Sequence, residues 1–144
     1  MIQRIQSVYL FLSMACAILL YFVPVWQSAA VLIDEGMNVI GAGTHLLLLP
    51  VPVLMVISHL LSIFTYKNRK RQKHFCTGNI LLYIIFLLGA LLLIQLEHQF
   101  FQHFDLLEFR LGALLPVAGI VFNILAVRGI RKDEALLRSM DRLR

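Results

Sequence analysis

Residues 80–94 read ILLYIIFLLGALLLI, an uninterrupted run of apolar residues with a single glycine. Extended to residues 78–96, the run has no charged side chain and reaches the length of about 20 residues that a helix needs to cross a ~30 Å hydrocarbon core. Because a backbone surrounded by lipid must satisfy its own hydrogen bonds, we expect this segment to be helical. The stretch therefore predicts a membrane-spanning helix.

Three further segments share this character, and they cover residues 7–26, 46–66 and 111–127. None of them contains Asp, Glu, Lys or Arg. Of the 144 residues, 60% are apolar and 15% are charged, whereas an ordinary soluble domain has about 25% charged residues. A small soluble protein could not remove so much apolar surface from water. The sequence therefore predicts an all-α membrane protein with four transmembrane helices in a single domain, residues 1–144.

The positive charges are divided unequally between the two sides of these spans. Twelve of the 13 Lys and Arg residues precede the first span, join the second to the third, or follow the fourth. Only Arg110 lies on the other side, together with acidic residues such as Glu97 and Asp105. Cytoplasmic loops of membrane proteins carry the excess of Lys and Arg. We therefore expect both termini and the 67–74 link to be cytoplasmic, and loops 27–45 and 97–110 to face outward.

A cleaved signal peptide is the alternative interpretation of the first segment, with Ser28, Ala29 and Ala30 as the small residues at the cleavage site. Its apolar stretch is about 18 residues long, whereas the apolar core of a signal peptide usually has about 7–15. We therefore predict that this segment is retained as a span.

Three polar side chains stand out in or beside the spans: His59, Asn79 and Asn123. An ionisable group in lipid is costly, so His59 is either a functional group, such as a proton relay, or a neutral imidazole that bonds another helix. Asn79 and Asn123 both lie toward the cytoplasmic ends of their spans, and we expect them to bond each other across helices. Pro50 is expected to loosen the first turn of the second span, and Pro116 to kink the fourth.

The sequence contains no pattern typical of catalysis or of cofactor binding. Glu97, His98 and His103 suggest a metal site at first sight, but the two histidines are five residues apart and lack the i,i+4 spacing of helical zinc pairs. The positive residues flank apolar runs instead of lining one soluble face, so nucleic-acid binding is not expected. Cys16 and Cys76 do not suggest a structural disulfide. We predict a non-enzymatic protein without metal or cofactor.

The basic cytoplasmic segments form the predicted contact surface for lipid or protein partners. From residue 130 the chain reads IRKDEALLRSMDRLR, in which Leu136, Met140 and Leu143 share one helical face and arginines lie opposite. Residues 130–144 are therefore predicted to form an amphipathic cytoplasmic helix that suits either anionic lipid or a protein partner. The candidate contact residues are Lys67, Arg69, Lys70, Arg71, Arg131, Arg138 and Arg142.

Several motifs along the chain resemble those of a known family. They are MIQRIQS at residues 1–7, YKNRK at 66–70, RLG at 110–112 followed by Pro116, IRKDE at 130–134 and RSMDRLR at 138–144. Over the whole chain they resemble a Bacteroidota family of small four-helix membrane proteins known only as a domain of unknown function. Arg71 departs from the family pattern, in which we expect an apolar residue. The resemblance implies a location in the bacterial inner membrane and brings no activity, cofactor or catalytic residue.

The predicted role is that of a non-enzymatic accessory or structural subunit of the inner membrane. It would contact the bilayer, and other membrane or cytoplasmic proteins, through its basic link and its C-terminal helix. The alternative is a small transporter or channel component that uses His59 and the kinked second and fourth spans. The sequence leaves the oligomeric state open.

Overall fold

A computed structural model of the protein describes residues 3–27, 39–44, 46–66, 68–98 and 110–141. Within these residues the chain forms four α-helices, which are α1 (Gln3–Phe22), α2 (Pro50–Phe64), α3 (Arg69–His98) and α4 (Leu114–Asp141). A 3-10 turn, Leu111–Ala113, leads into α4, and the two-residue strands β1 (Trp26–Gln27) and β2 (Val39–Ile40) form an antiparallel ladder. The predicted helical class is confirmed, with this short ladder as an addition.

Each helix packs against two others in an up-and-down bundle. α1 contacts α2 and α4, and α3 contacts the same two helices. Polar contacts show the antiparallel directions, because Gln6 near the start of α1 bonds Asp133 near the end of α4. Ser62 near the end of α2 likewise contacts Cys76 near the start of α3. The described parts of residues 3–9, 62–76 and 126–141 therefore lie at one end of the bundle, which we call the basic end.

The surface of the bundle is apolar, whereas its interior carries polar groups. Phe22, Phe64 and Leu88 expose 71%, 75% and 60% of their surface, while Ser13 and His59 are fully buried. Three helical segments, Ile5–Phe22, Arg69–Leu96 and Leu111–Leu136, are long and apolar enough to cross a membrane. Because an apolar surface of this extent is unfavourable in water, these features indicate a membrane protein.

α2 is shorter than the predicted second span of residues 46–66. It has 15 residues, which at 1.5 Å per residue is about 22 Å, less than a ~30 Å hydrocarbon core. The helix begins at Pro50, because the first helical amide has no intrahelical partner and a proline there loses nothing. Residues 46–49 form turns, and the Val51 amide donates to the Leu48 carbonyl. The irregular backbone predicted at Pro50 therefore precedes the helix.

α3 begins at Arg69 and not near residue 78, so most of the predicted 67–74 link is helical. Asn68 caps the helix, because its side-chain oxygen accepts a hydrogen bond from the Arg71 amide at 3.3 Å. The residues that follow are Lys, Arg and Gln, which favour helix. At 30 residues, or about 45 Å, α3 is longer than a ~30 Å core. Its first turns therefore hold the basic side chains on a rigid element.

α4 is continuous from Leu114 to Asp141. Pro116 lies in its first turn, where the missing amide breaks no helical hydrogen bond, so it helps to start the helix instead of kinking it in mid-span. The predicted C-terminal helix of residues 130–144 is not a separate element up to Asp141, because buried Ile130 and Asp133 pack this part of α4 onto the bundle. Residues 142–144 lie outside the described residues.

Backbone hydrogen bonds hold the opposite end of the bundle together. The Val25 amide donates to the Ile40 carbonyl at 2.9 Å, and the Arg110 amide donates to the Val25 carbonyl at 3.1 Å. Trp26 and Ile40 are paired in the ladder and are both buried. The segment after α1, the segment before α2 and the start of α4 thus meet at one point.

Candidate functional site: a buried polar network and a basic helix end

Four polar side chains, one from each helix, meet inside the bundle. Ser13 of α1, His59 of α2, Tyr83 of α3 and Asn123 of α4 are all fully buried. The Ser13 hydroxyl oxygen lies 2.9 Å from His59 Nε2, 2.6 Å from Asn123 Nδ2 and 3.3 Å from the Tyr83 hydroxyl. We call this set the polar network. Ser13 is its centre, because it contacts each of the other three members.

The hydrogen-bond partners of His59 suit a neutral imidazole. The Met55 carbonyl, 2.7 Å from Nδ1, can only accept, so Nδ1 carries the proton. Nε2 lies 2.9 Å from the Ser13 hydroxyl, whose one proton can be donated either to Nε2 of a neutral imidazole or to the Gly119 carbonyl at 3.1 Å. Both ring nitrogens therefore have a polar partner inside the bundle. This geometry is that of a side chain that joins two helices, which is the second of the two alternatives given for His59 from the sequence.

Ser13 and Tyr83 connect the remaining helices of the network. The Tyr83 hydroxyl donates to the Ser13 carbonyl at 2.6 Å, and Asn123 Nδ2 also lies 3.0 Å from the Gly119 carbonyl one turn before it. A Cβ atom at Gly119 would collide with the Tyr83 ring. Glycine at this position therefore lets α3 and α4 come close enough for the network to form.

The predicted bond between Asn79 and Asn123 is not formed. Asn123 bonds Ser13 and Gly119 instead, while neither amide atom of buried Asn79 has a hydrogen-bond partner within the described ranges. Asn79 precedes Tyr83 by four residues, which places it about 6 Å nearer the basic end than the network. The sequence does not indicate a polar role for Ser13 and Tyr83, because a serine among small residues and a tyrosine within an apolar run carry no distinguishing pattern.

Two polar pairs at the basic end hold the last part of α4 against the bundle. Gln6 Nε2 donates to Asp133 Oδ2 at 2.6 Å, and both side chains are buried. The Lys73 ammonium lies 2.7 Å from Glu134 Oε2, and this pair is partly buried. Asp133 therefore attaches α4 to α1, and Glu134 attaches it to α3.

The predicted contact residues at this end differ in exposure. Lys70, Arg71 and Arg131 are exposed, and so are Arg128 and Lys132, whereas Arg69 is half-buried. Lys67 and Arg142 lie outside the described residues, and so does the side chain of Arg138. The sequence does not identify Gln6 and Asp133 as partners, because their pairing depends on two helix ends that are far apart in the chain.

The described residues form neither a cluster of metal ligands nor a disulfide. Across those residues no three His, Cys, Asp or Glu side chains are grouped so that they could hold a metal ion. His103 and the side chains of Glu97 and His98 lie outside the described residues. Cys16 and Cys76 are free and buried, and Cys76 Sγ lies 3.5 Å from the Ser62 hydroxyl.

Comparison with known proteins adds one result to this geometry. A family model described as a domain of unknown function (DUF4293) matches residues 2–143. No curated protein matches the chain, and no solved structure matches it.

Proposed function

The chain belongs to the family described as a domain of unknown function (DUF4293), and on that premise we propose that it is a multi-pass protein of the bacterial inner membrane. It crosses the bilayer four times, near residues 7–26, 46–66, 78–96 and 111–127, with both termini in the cytoplasm. It acts without catalysis as an accessory or structural subunit, through the cationic surface at its basic end.

The position of α2 in the bundle supports the fourth span. α2 packs against α1 and α3 as a full member of the bundle, and its exposed face carries large apolar side chains such as Leu54, Ile57 and Leu61. Together with the turns at residues 46–49 before it and 65–66 after it, the segment reaches the length of a span. The place of Ser13 in the network also supports retention of the first segment, because cleavage near Ala30 would remove α1 from the bundle.

The distribution of charge supports the orientation. In the described residues the exposed Lys and Arg side chains gather at the basic end, apart from Arg110 at the opposite end. Positive residues in short loops and near span ends remain on the cytoplasmic side. This distribution supports a cytoplasmic position for the starts of α1 and α3 and for the end of α4.

The inward direction of Asp133 and Glu134 in α4 carries the functional proposal. In sequence the tail has mixed charge, but Asp133 faces Gln6 of α1 and Glu134 faces Lys73 of α3. The exposed face of the same helical segment retains Arg128, Arg131 and Lys132. Such a surface is complementary to an acidic surface of a partner protein. Because two pairs hold the segment in place, little conformational entropy would be lost on docking.

The test is purification of the full chain from native membranes in a mild detergent, in wild type and in a variant that replaces Arg128, Arg131 and Lys132 by Gln. We expect a protein to co-purify in stoichiometric amount with the wild type and to be lost from the triple variant. Arg110→Gln, at the opposite end, is the control and should retain the partner. Thermal unfolding of each sample shows whether the fold is kept.

Two results would contradict the proposal. Absence of any stoichiometric protein from the wild-type sample would remove the subunit role. A partner that binds the triple variant and the wild type equally would show that the subunit role does not depend on the cationic surface. Cysteine accessibility at Arg131 and Arg110, each replaced by Cys in intact cells, tests the orientation independently.

The alternative, a small transporter or channel component, would use His59. The observation in its favour is that four polar side chains from four helices meet within the apolar region. Flux of protons or small ions through liposomes that contain the protein, lost in His59→Ala, would support this role. Flux that is unchanged in that variant would exclude His59 from it.

A further inference from the structure

A cavity of about 330 Å³ opens at the basic end between α1 and the junction of α2 with α3. This volume falls within the ~300–1,000 Å³ that is usual for small-molecule sites. The residues that line it come from α1, from α3 and from the turn between α2 and α3, and they are Gln6, Ser7, Val8, Phe11, Tyr66, Arg69 and Gln72. None of these lining residues belongs to the polar network or to the exposed cationic face of α4.

One side of the cavity is suited to an anion. Nη1 of Arg69 is buried and has no hydrogen-bond partner within the described part of the chain. A guanidinium nitrogen in this state is costly unless a ligand or water accepts its protons. Arg69 is also the first residue of α3, a 30-residue helix whose N-terminus favours negative charge. The side chains of Gln6 and Gln72 add polar lining that is almost fully buried.

The other side of the cavity is apolar and continues onto the outer surface of the bundle. Val8 and Phe11 line it, and both side chains are also exposed on the face of α1. Tyr66, at the end of the second apolar segment, has the amphipathic ring that is typical of the boundary between membrane and water. A ligand of this cavity therefore needs a negative group on one side and a hydrocarbon part on the other.

We propose that this cavity is a specific site for one anionic glycerophospholipid of the cytoplasmic leaflet. The lipid phosphate accepts hydrogen bonds from the Arg69 guanidinium, and the start of an acyl chain lies against Val8 and Phe11. The site rests on the membrane orientation proposed above but not on the partner protein, since Arg69 is not part of the exposed α4 surface. Free phosphate shares the anionic chemistry and would leave the apolar side unused.

The experiment is native mass spectrometry of the purified full chain in detergent, titrated with phosphatidylglycerol. Two other ligands separate the possible sources of binding: phosphatidylcholine with the same acyl chains, and inorganic phosphate. We expect one saturable adduct with phosphatidylglycerol, with an affinity at least about tenfold higher than for phosphatidylcholine. Inorganic phosphate is expected to give no adduct at the same concentration.

Two matched pairs of variants locate the site. Arg69→Gln is expected to lower the affinity for phosphatidylglycerol by about tenfold or more, whereas Arg71→Gln, an identical charge change at an exposed position, leaves it unchanged. Val8→Trp fills the cavity without a change of charge and should also abolish the adduct. Leu12→Trp, on an exposed face of α1 outside the cavity, is its control.

The outcomes separate this site from the proposed partner surface. Equal losses in Arg69→Gln and Arg71→Gln would show general attraction to positive charge and overturn the proposal, as would equal affinity for the two lipids. Binding of inorganic phosphate with the affinity of the lipid would overturn the lipid assignment. If Arg69→Gln lowers the melting temperature in detergent, the Val8→Trp and Leu12→Trp pair still decides the question. A failed search for a partner protein has no bearing on these measurements.

Discussion

Replacement of Ser13 by Ala removes the group that joins the four helices of the polar network. The Ser13 hydroxyl is 2.6 Å from Asn123 Nδ2, 2.9 Å from His59 Nε2 and 3.1 Å from the Gly119 carbonyl. Alanine retains the Cβ atom and the helix but has no hydroxyl to accept from Asn123 or to donate to His59 or Gly119. The expected effect is therefore weaker hydrogen bonding between helices, without a large cavity.

The size of the effect follows from what remains bonded. Asn123 Nδ2 keeps the Gly119 carbonyl at 3.0 Å, and His59 Nε2 keeps only a 3.4 Å approach to Asn123. Hydrogen bonds between membrane helices are worth about 0.6 kcal/mol each on average, up to about 1.7 kcal/mol. The substitution removes the hydroxyl that accepts from Asn123 and donates its one proton to His59 or to Gly119, and it leaves one ring nitrogen poorly satisfied. We therefore expect the free energy of unfolding to fall by about 2 kcal/mol, or about 30-fold in the equilibrium constant.

The measurement is reversible unfolding by SDS in mixed micelles, followed by fluorescence of Trp26, the single tryptophan of the chain. Ser58→Ala is the matched control. Ser58 adjoins His59 in the same helix, is half-buried and has no side-chain hydrogen bond within the described residues, so its replacement should cost less than about 0.5 kcal/mol. Equal effects of Ser13→Ala and Ser58→Ala would refute the idea that the network stabilises the bundle.

Three further predictions use the same assay. Gly119→Ala should lower the free energy of unfolding by about 1–3 kcal/mol, because the added methyl group overpacks against the Tyr83 ring of α3. Gly78→Ala faces open space and should change this free energy little. Equal effects of the two substitutions would contradict the close approach of α3 and α4 at Gly119. Asn79→Leu should raise stability by about 1 kcal/mol, because the buried amide has no partner in the described ranges, and a clear decrease would reveal a polar role. Gln6→Leu should cost about 1.5–3 kcal/mol by leaving the buried Asp133 carboxylate without this donor, and an unchanged midpoint would contradict attachment of α4 to α1.

The sequence was most informative where hydropathy and length decide the outcome. The run at residues 80–94 required a helix, and it lies within α3. Helix ends were less predictable. Both α3 and α4 continue beyond their apolar runs into polar and charged residues that still have a high helix propensity. α2 is the opposite case, since its apolar segment is longer than its helix and Pro50 sets the start.

The partners inside the bundle came only from the tertiary structure. A helix that is apolar all round has no polar face to mark its outer side, so the sequence did not show that Tyr83 points inward. Rotation about the helix axis and the level along it decide which side chains meet, and these depend on close packing at sites such as Gly119. For the same reason Asn79 and Asn123, which occupy similar positions in their predicted spans, differ in height along the bundle by about one helical turn and do not bond each other.

By itself, the sequence determined that the chain is helical and suited to a membrane, because burying so many apolar residues requires lipid and each span must close its own hydrogen bonds. It also determined which segments carry the positive charge. The tertiary structure decided which charges remain exposed, since Asp133 and Glu134 are engaged by α1 and α3 while Arg131 is not. The physical reason is that charge is a property of residues, whereas exposure is a property of their packing.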